Sequence, residues 1–174
     1  DEFEELTKRH GELEAQRADL EDSVQSVRSA IAKMNRLCRQ RFRDAFDSVN
    51  EHLKEAYPSL VGGGSARLAL TDEEDLLESG VDIFVQPPGK RLQNLSLLSG
   101  GEKAMAAIAL LLALFRVKPS PFCILDEVDA PLDEANGARF NRMLRELSQV
   151  SQFLVITHNR KTMECADALY GITM

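Results

Sequence analysis

Phe122-Cys123-Ile124-Leu125-Asp126-Glu127 places four apolar residues in a row and follows them at once with two carboxylates. So short an apolar run reads as a buried strand. Acids directly after it emerge at the carboxyl edge of a sheet, where open α/β folds bind ligands. Further on, Phe153-Leu154-Val155-Ile156-Thr157-His158 repeats the pattern with a histidine at its end. If the two strands are neighbours, the imidazole lies beside the carboxylate pair and can donate to an anionic oxygen. Such a pair divides its labour. One carboxylate is suited to hold Mg²⁺ through water, while the other orients or deprotonates an attacking water. A solvated acidic turn and a turn histidine are the plainer readings of the two strand ends.

Moving outward, Asp129-Ala130-Pro131-Leu132-Asp133 turns into a helix whose N-cap is Asp133. That helix shows one apolar face through Phe140, Met143, Leu144 and Leu147. Upstream, Leu98-Ser99-Gly100-Gly101-Glu102 opens a second, more apolar helix over 102–115. Ser99 is a good N-cap, and Gly100 and Gly101 let backbone N–H groups approach a ligand closely. The free N–H groups and positive dipole end of a helix suit a phosphate oxygen, although an ordinary capped helix has the same residues. Two further strands are expected at 66–70 and 81–85, separated from the preceding helix by Gly62-Gly63-Gly64. A helix is expected near 161–166 and a last strand at 169–173. Strands alternating with helices after residue 100 predict an α/β fold, with parallel strands flanked by helices.

The amino-terminal part is of another kind. Up to about Leu53 there is no proline and one glycine, Gly11, whereas all six prolines and the other nine glycines follow. This shift predicts a helix over 1–53 and a compact lobe over 54–174. Phe3, Leu6, His10, Leu13, Arg17, Leu20, Val24, Val27, Ile31, Met34 and Cys38 alternate four- and three-residue steps, the seam of a left-handed coiled coil. Fifty helical residues extend roughly 75 Å, too far to bury that seam on the residues that follow, so a partner helix is expected from outside this sequence. Asp1 to Asp22 is mostly acidic, whereas Arg28, Lys33, Arg36, Arg39, Arg41 and Arg43 have no intervening acid. The basic cluster is a candidate grip on a phosphate backbone, with a solvated face as the equal alternative.

Composition narrows the classes. In 174 residues, 44% are hydrophobic, enough to exclude disorder, and the net charge is −7, which speaks against a whole-surface nucleic-acid binder. The apolar run 104–115 is too short to span a bilayer as a helix. Three scattered cysteines without C-x-x-C spacing exclude a disulfide scaffold and point to a reducing cytoplasm. A start at Asp1 suggests a piece of something longer.

Taken together, Ser99-Gly100-Gly101-Glu102, the Asp126-Glu127 pair, the Asp129 to Asp133 turn and His158 resemble the signature motif, Walker B motif, D-loop and switch histidine of ABC-type ATPases. The long heptad helix narrows the resemblance to the structural maintenance of chromosomes (SMC) family and its DNA-repair relatives. The stretches from Gln86 to Ala104 and from Val155 to Glu164 resemble the bacterial members. That resemblance implies the carboxy-terminal lobe of an ATPase head, a parallel sheet flanked by helices with short antiparallel strands, and ATP and Mg²⁺ as ligands. No G-x-x-x-x-G-K-[ST] loop occurs in the sequence, so the Walker A loop is implied to come from a separate amino-terminal lobe. Asp126 then supports Mg²⁺, Glu127 activates water and His158 senses the γ-phosphate. Ser99, Gly100, Gly101 and Glu102 act toward the nucleotide of a second head, with Asp129 and Asp133 also at the nucleotide. Implied partners are the amino-terminal lobe and its coil, a second head, a kleisin subunit and DNA, with no membrane and a cytoplasmic, nucleoid-associated location. The lobe alone is expected to be inactive. A double-strand-break-repair ATPase is the nearest alternative. A relict structural tether and a transporter ATPase domain are the more distant ones.

Overall fold

The computed structural model describes residues 2–172. Among them the chain divides into two compact units, one ending at Phe42 and one beginning at Arg43. Helix α1 (Glu2–Val61) belongs to both. In the first unit, three acids in the opening turn suit the positive end of the helix. Exposed i,i+4 pairs such as Arg17 Nε to Glu21 Oε1 at 2.8 Å support the turns. Arg17, expected on the seam, thus leans to an acid one turn on. The apolar seam from Phe3 to Met34 is exposed throughout. Asp1, counted in the acidic stretch, lies outside the described residues.

In the second unit α1 continues past Leu53, where the compact lobe was expected to start. Leu53, Ala56, Tyr57 and Leu60 are fully buried, and their four- and three-residue spacing carries the helix two turns further, through Pro58. It then stops sharply. Gly62 takes φ +85, and its N–H and that of Gly63 both reach Pro58 O, at 2.9 and 3.1 Å. A side chain at Gly62 would also meet the Arg139 guanidinium, whose Nη1 donates to Val61 O at 3.0 Å. At Gly64, φ +80, a Cβ would fall 2.1 Å from Gln86 O. The backbone leaves no room for a side chain at Gly64, and at Gly62 the positive φ favours glycine.

Strands β1 (Ser65–Leu70), β2 (Val81–Gln86) and the two-residue β3 (Gln93–Asn94) form an antiparallel sheet in that order. A 3₁₀ turn over Leu95–Leu97 leads into α2 (Gly100–Val117). Strand β4 (Phe122–Asp126) pairs in parallel with β5 (Gln152–Ile156), with Asp126 opposite Ile156. Between them runs α3 (Glu134–Leu147), and α4 (Arg160–Met163) follows β5. One core joins the end of α1 to α2 and α3, through residues such as Tyr57, Leu112 and Phe140. No described helix is long and apolar enough to cross a membrane.

The α/β class with a parallel pair is as expected, and three details differ. Strands β4 and β5 are buried on one face only. Phe122, Ile124, Leu154 and Ile156 on the other face are 63, 57, 55 and 49% exposed, because no described element packs there. Helix α4 is one turn long, shorter than the stretch expected at 161–166. Leu169 to Ile172 form no strand: they find no pairing partner and their apolar side chains are exposed. Thr173, the expected end of that strand, lies outside the described residues.

Candidate functional site

Parallel pairing of β4 and β5 delivers Asp126, Glu127 and His158 to the same sheet edge. The ladder extends one step past the strand, with Glu127 N–H donating to Ile156 O at 2.9 Å. Glu127 itself takes φ +48, the one described non-glycine residue in the left-handed region. A non-glycine residue there costs on the order of 1–3 kcal/mol and persists where its surroundings over-determine it. The turn aims the carboxylate at the histidine: His158 Nε2 lies 3.0 Å from Glu127 Oε1, and both side chains are largely exposed. Asp126 is exposed at the strand end. A cleft of about 130 Å³ is lined by Glu127, Asp129, Ala130, Leu132, His158 and Asn159.

Asp129 and Asp133 use their carboxylates locally. Asp133 caps α3, accepting from Asn136 N–H at 2.8 Å as expected. Asp129 is 3% exposed, and its Oδ2 accepts from Thr157 Oγ1 at 2.7 Å and Thr162 Oγ1 at 2.5 Å. The carboxylate anticipated at the nucleotide thus lines the cleft while spending Oδ2 on two hydroxyls. The two threonines carried no recognisable signal, since their value depends on a fold that brings residues 129, 157 and 162 together.

The Ser99 loop forms a separate feature and does not line the cleft. Ser99 caps α2 in a full capping box with Glu102. Glu102 Oε2 accepts from Ser99 N–H at 3.1 Å and from its hydroxyl at 2.9 Å, while Oε1 pairs with Lys90 Nζ at 2.9 Å. The Lys90 bond first, then the two from Ser99, hold the Glu102 carboxyl below its ordinary range. Glu102 thus holds the loop's shape rather than standing open to a ligand. Gly100 and Gly101 have nothing within 4 Å of where a Cβ would stand, which leaves their N–H groups approachable. Lys90 was missed because its partner is twelve residues away across a turn. Arg28, Lys33, Arg36, Arg39, Arg41 and Arg43 are exposed along α1.

Chemically, the sheet edge offers hard carboxylate oxygens and an imidazole. Among the described residues no cluster of three or more His, Cys, Asp or Glu could hold a metal. Asp126, exposed at the strand end, presents carboxylate oxygens of the kind that hard cations take.

Residues 7–174 match the family described as RecF/RecN/SMC N terminal domain. Over all 174 residues the chain is 52% identical to the chromosome partition protein Smc of Myxococcus xanthus, of whose length it spans 14%. An Smc head domain from Pyrococcus furiosus, with an extended coiled coil and bound to the C-terminal domain of ScpA, superposes with a TM-score of 0.81. That match is 37% identical and covers 95% of this chain and 42% of that one. A chain from a structural study of ATP-driven dimerisation and DNA-stimulated activation of SMC ATPases gives 0.71 at 37% identity, covering 78% of this chain and 83% of the other. The family's description names an amino-terminal domain, so this match lends no support to the carboxy-terminal placement expected from the motifs.

Proposed function

The chain belongs to the RecF/RecN/SMC family, and from that premise we propose that it is the half of a bacterial Smc ATPase head that carries the signature and Walker B motifs. We place it as the carboxy-terminal lobe because the motif order runs Ser99, Asp126, His158 and the phosphate-cradling loop is absent from the sequence. That loop, the other lobe and the second strand of the coil then come from elsewhere in the same head. The exposed apolar face of β4 and β5 is the surface such a lobe would cover.

The observation that carries the reading is the meeting of Asp126, Glu127 and His158 at one sheet edge, with His158 Nε2 3.0 Å from Glu127 Oε1. Bound Mg²⁺ would supply charge neutralisation on the phosphate oxygens of ATP. Asp126 is the residue that would hold that ion. Glu127 takes the proton of the attacking water. His158 donates Nε2–H to a γ-phosphate oxygen, and to do so it leaves Glu127, which frees that carboxylate for the water. The N–H groups of Gly100 and Gly101 and the Ser99 hydroxyl meet the γ-phosphate bound by a second head, so nucleotide joins two heads and hydrolysis parts them. A kleisin is the proposed protein partner, as ScpA is for the Pyrococcus head. The cycle serves chromosome organisation on DNA in the bacterial cytoplasm, with Arg28 to Arg43 as a candidate DNA contact. Alone, the chain hydrolyses no ATP.

Glu127→Gln tests the assignment in a complete head. Turnover is expected to fall by about 100-fold or more, with ATP binding intact and ATP-bound dimers accumulating. Normal turnover would remove Glu127 as the base. Co-purification with a nuclease in place of a kleisin would favour the repair-ATPase alternative.

A further inference from the structure

We propose that Asp129 is a positioning residue: through Thr157 and Thr162 it fixes the distance between Glu127 and His158. The role rests on Glu127 and His158 acting as proposed above. Three segments meet at this buried carboxylate: the turn after β4, the exit of β5 and α4. Thr157 Oγ1 accepts from Asn159 N–H at 2.9 Å. A hydroxyl has one hydrogen, so Thr157 commits it to Asp129 Oδ2, at 2.7 Å. Asn159 in turn caps α4 by accepting from Lys161 N–H at 3.0 Å. That single helical turn presents Thr162 back to the same carboxylate oxygen, at 2.5 Å. The bonds close a ring.

The ring lies directly behind the proposed reacting groups. Thr157 immediately precedes His158. Asp129 follows Glu127 by two residues, in a turn closed by Ala130 N–H to Glu127 O at 3.1 Å and Leu132 N–H to Asp129 O at 3.1 Å. Glu127 is in the left-handed region, a conformation that relaxes when its restraints are removed. Its backbone is held by the ladder bond to Ile156 O and the turn bond from Ala130 N–H, and the Asp129 ring anchors that turn to the exit of β5. Hydrogen bonds to a carboxylate are roughly twice as strong as neutral ones, which suits a clamp joining a turn, a strand end and a one-turn helix. Asp129 lines the cleft but is 3% exposed, and its Oδ2 is taken by the two threonine hydroxyls, so its loss acts first on where Glu127 and His158 stand.

The test uses the complete head, with both lobes present. Asp129→Ala is expected to lower kcat for ATP by about 10-fold or more, since a misplacement near 1 Å is costly, with KM changed by less than about twofold. Asp129→Asn should restore most of the rate, because an amide oxygen can accept both hydroxyls. Backbone hydrogen exchange over residues 156–160 should rise in the alanine variant and not in the asparagine one. A parent-like kcat in Asp129→Ala, equal impairment of the two variants, or parallel loss of rate and ATP affinity would overturn the proposal. Should Asp129→Ala fail to fold, Thr157→Val removes one bond of the ring and must itself lower kcat without raising KM. Glu127→Gln measured alongside separates the two ideas. Undiminished turnover there sinks the role of Glu127, whereas unchanged exchange over 156–160 in Asp129→Ala sinks the clamp.

Discussion

Glu102 joins two kinds of bond. One oxygen completes the cap of α2, and the other pairs with Lys90. Its carboxyl is held below the ordinary range in the folded chain, so the charged form contributes stability that is present above the unfolded value. That contribution is lost as pH falls through the lower folded value. Glu102→Gln keeps an acceptor for the capping box and loses the ion pair. Denaturant unfolding should therefore find the variant less stable than the parent at pH 7. The gap should close in acid below the ordinary carboxyl range of about pH 4, and shrink with salt because Lys90 is half-exposed. An equal gap at both pH values would show that the ion pair contributes nothing. His158 and Glu127 illustrate another residue-scale point: they meet at 3.0 Å, and the proposed reaction requires that pair to separate.

At the scale of elements, the amino terminus of α2 and the paired ends of β4 and β5 are the units of the proposed function. Ser99→Arg places a long cation on an exposed cap. It is expected to abolish ATP-dependent association of two heads, measured by sizing, while one head still binds nucleotide. Persistent dimerisation would contradict a role for this loop across the interface. These elements were readable in the sequence because each rests on a local rule. Ser99 with Glu102 spells a capping box, Asp133 an N-cap, and two short apolar runs ending in Asp-Glu and Thr-His spell parallel strands sharing an edge. What escaped depended on distance along the chain. Thr157 and Thr162 gain meaning only from Asp129, and Lys90 only from Glu102. The last turns of α1 continue through Pro58 because Tyr57 and Leu60 reach the core, a tertiary gain that outweighs the local breaker signal. Over residues 169–172, the described part of another expected strand, the opposite holds: among the described residues these side chains have no neighbour to pair with.

For the whole molecule, the two units expose apolar surface of the kinds a larger assembly would cover. The heptad seam of α1 is bare from Phe3 to Met34, and the outer face of β4 and β5 is about half exposed at four large side chains. The chain also spans only 14% of a relative that it matches along its full length. The proposed division of labour follows: this chain supplies the ion-binding carboxylate, base, histidine and signature loop, and another lobe supplies the phosphate cradle. ATP hydrolysis by the purified chain, alone and after assembly with a Walker A lobe of the same head, measures that division directly. The account predicts no turnover by the chain alone, and turnover on assembly that disappears with Glu127→Gln. Sustained hydrolysis by the chain alone, insensitive to Glu127→Gln, would contradict it.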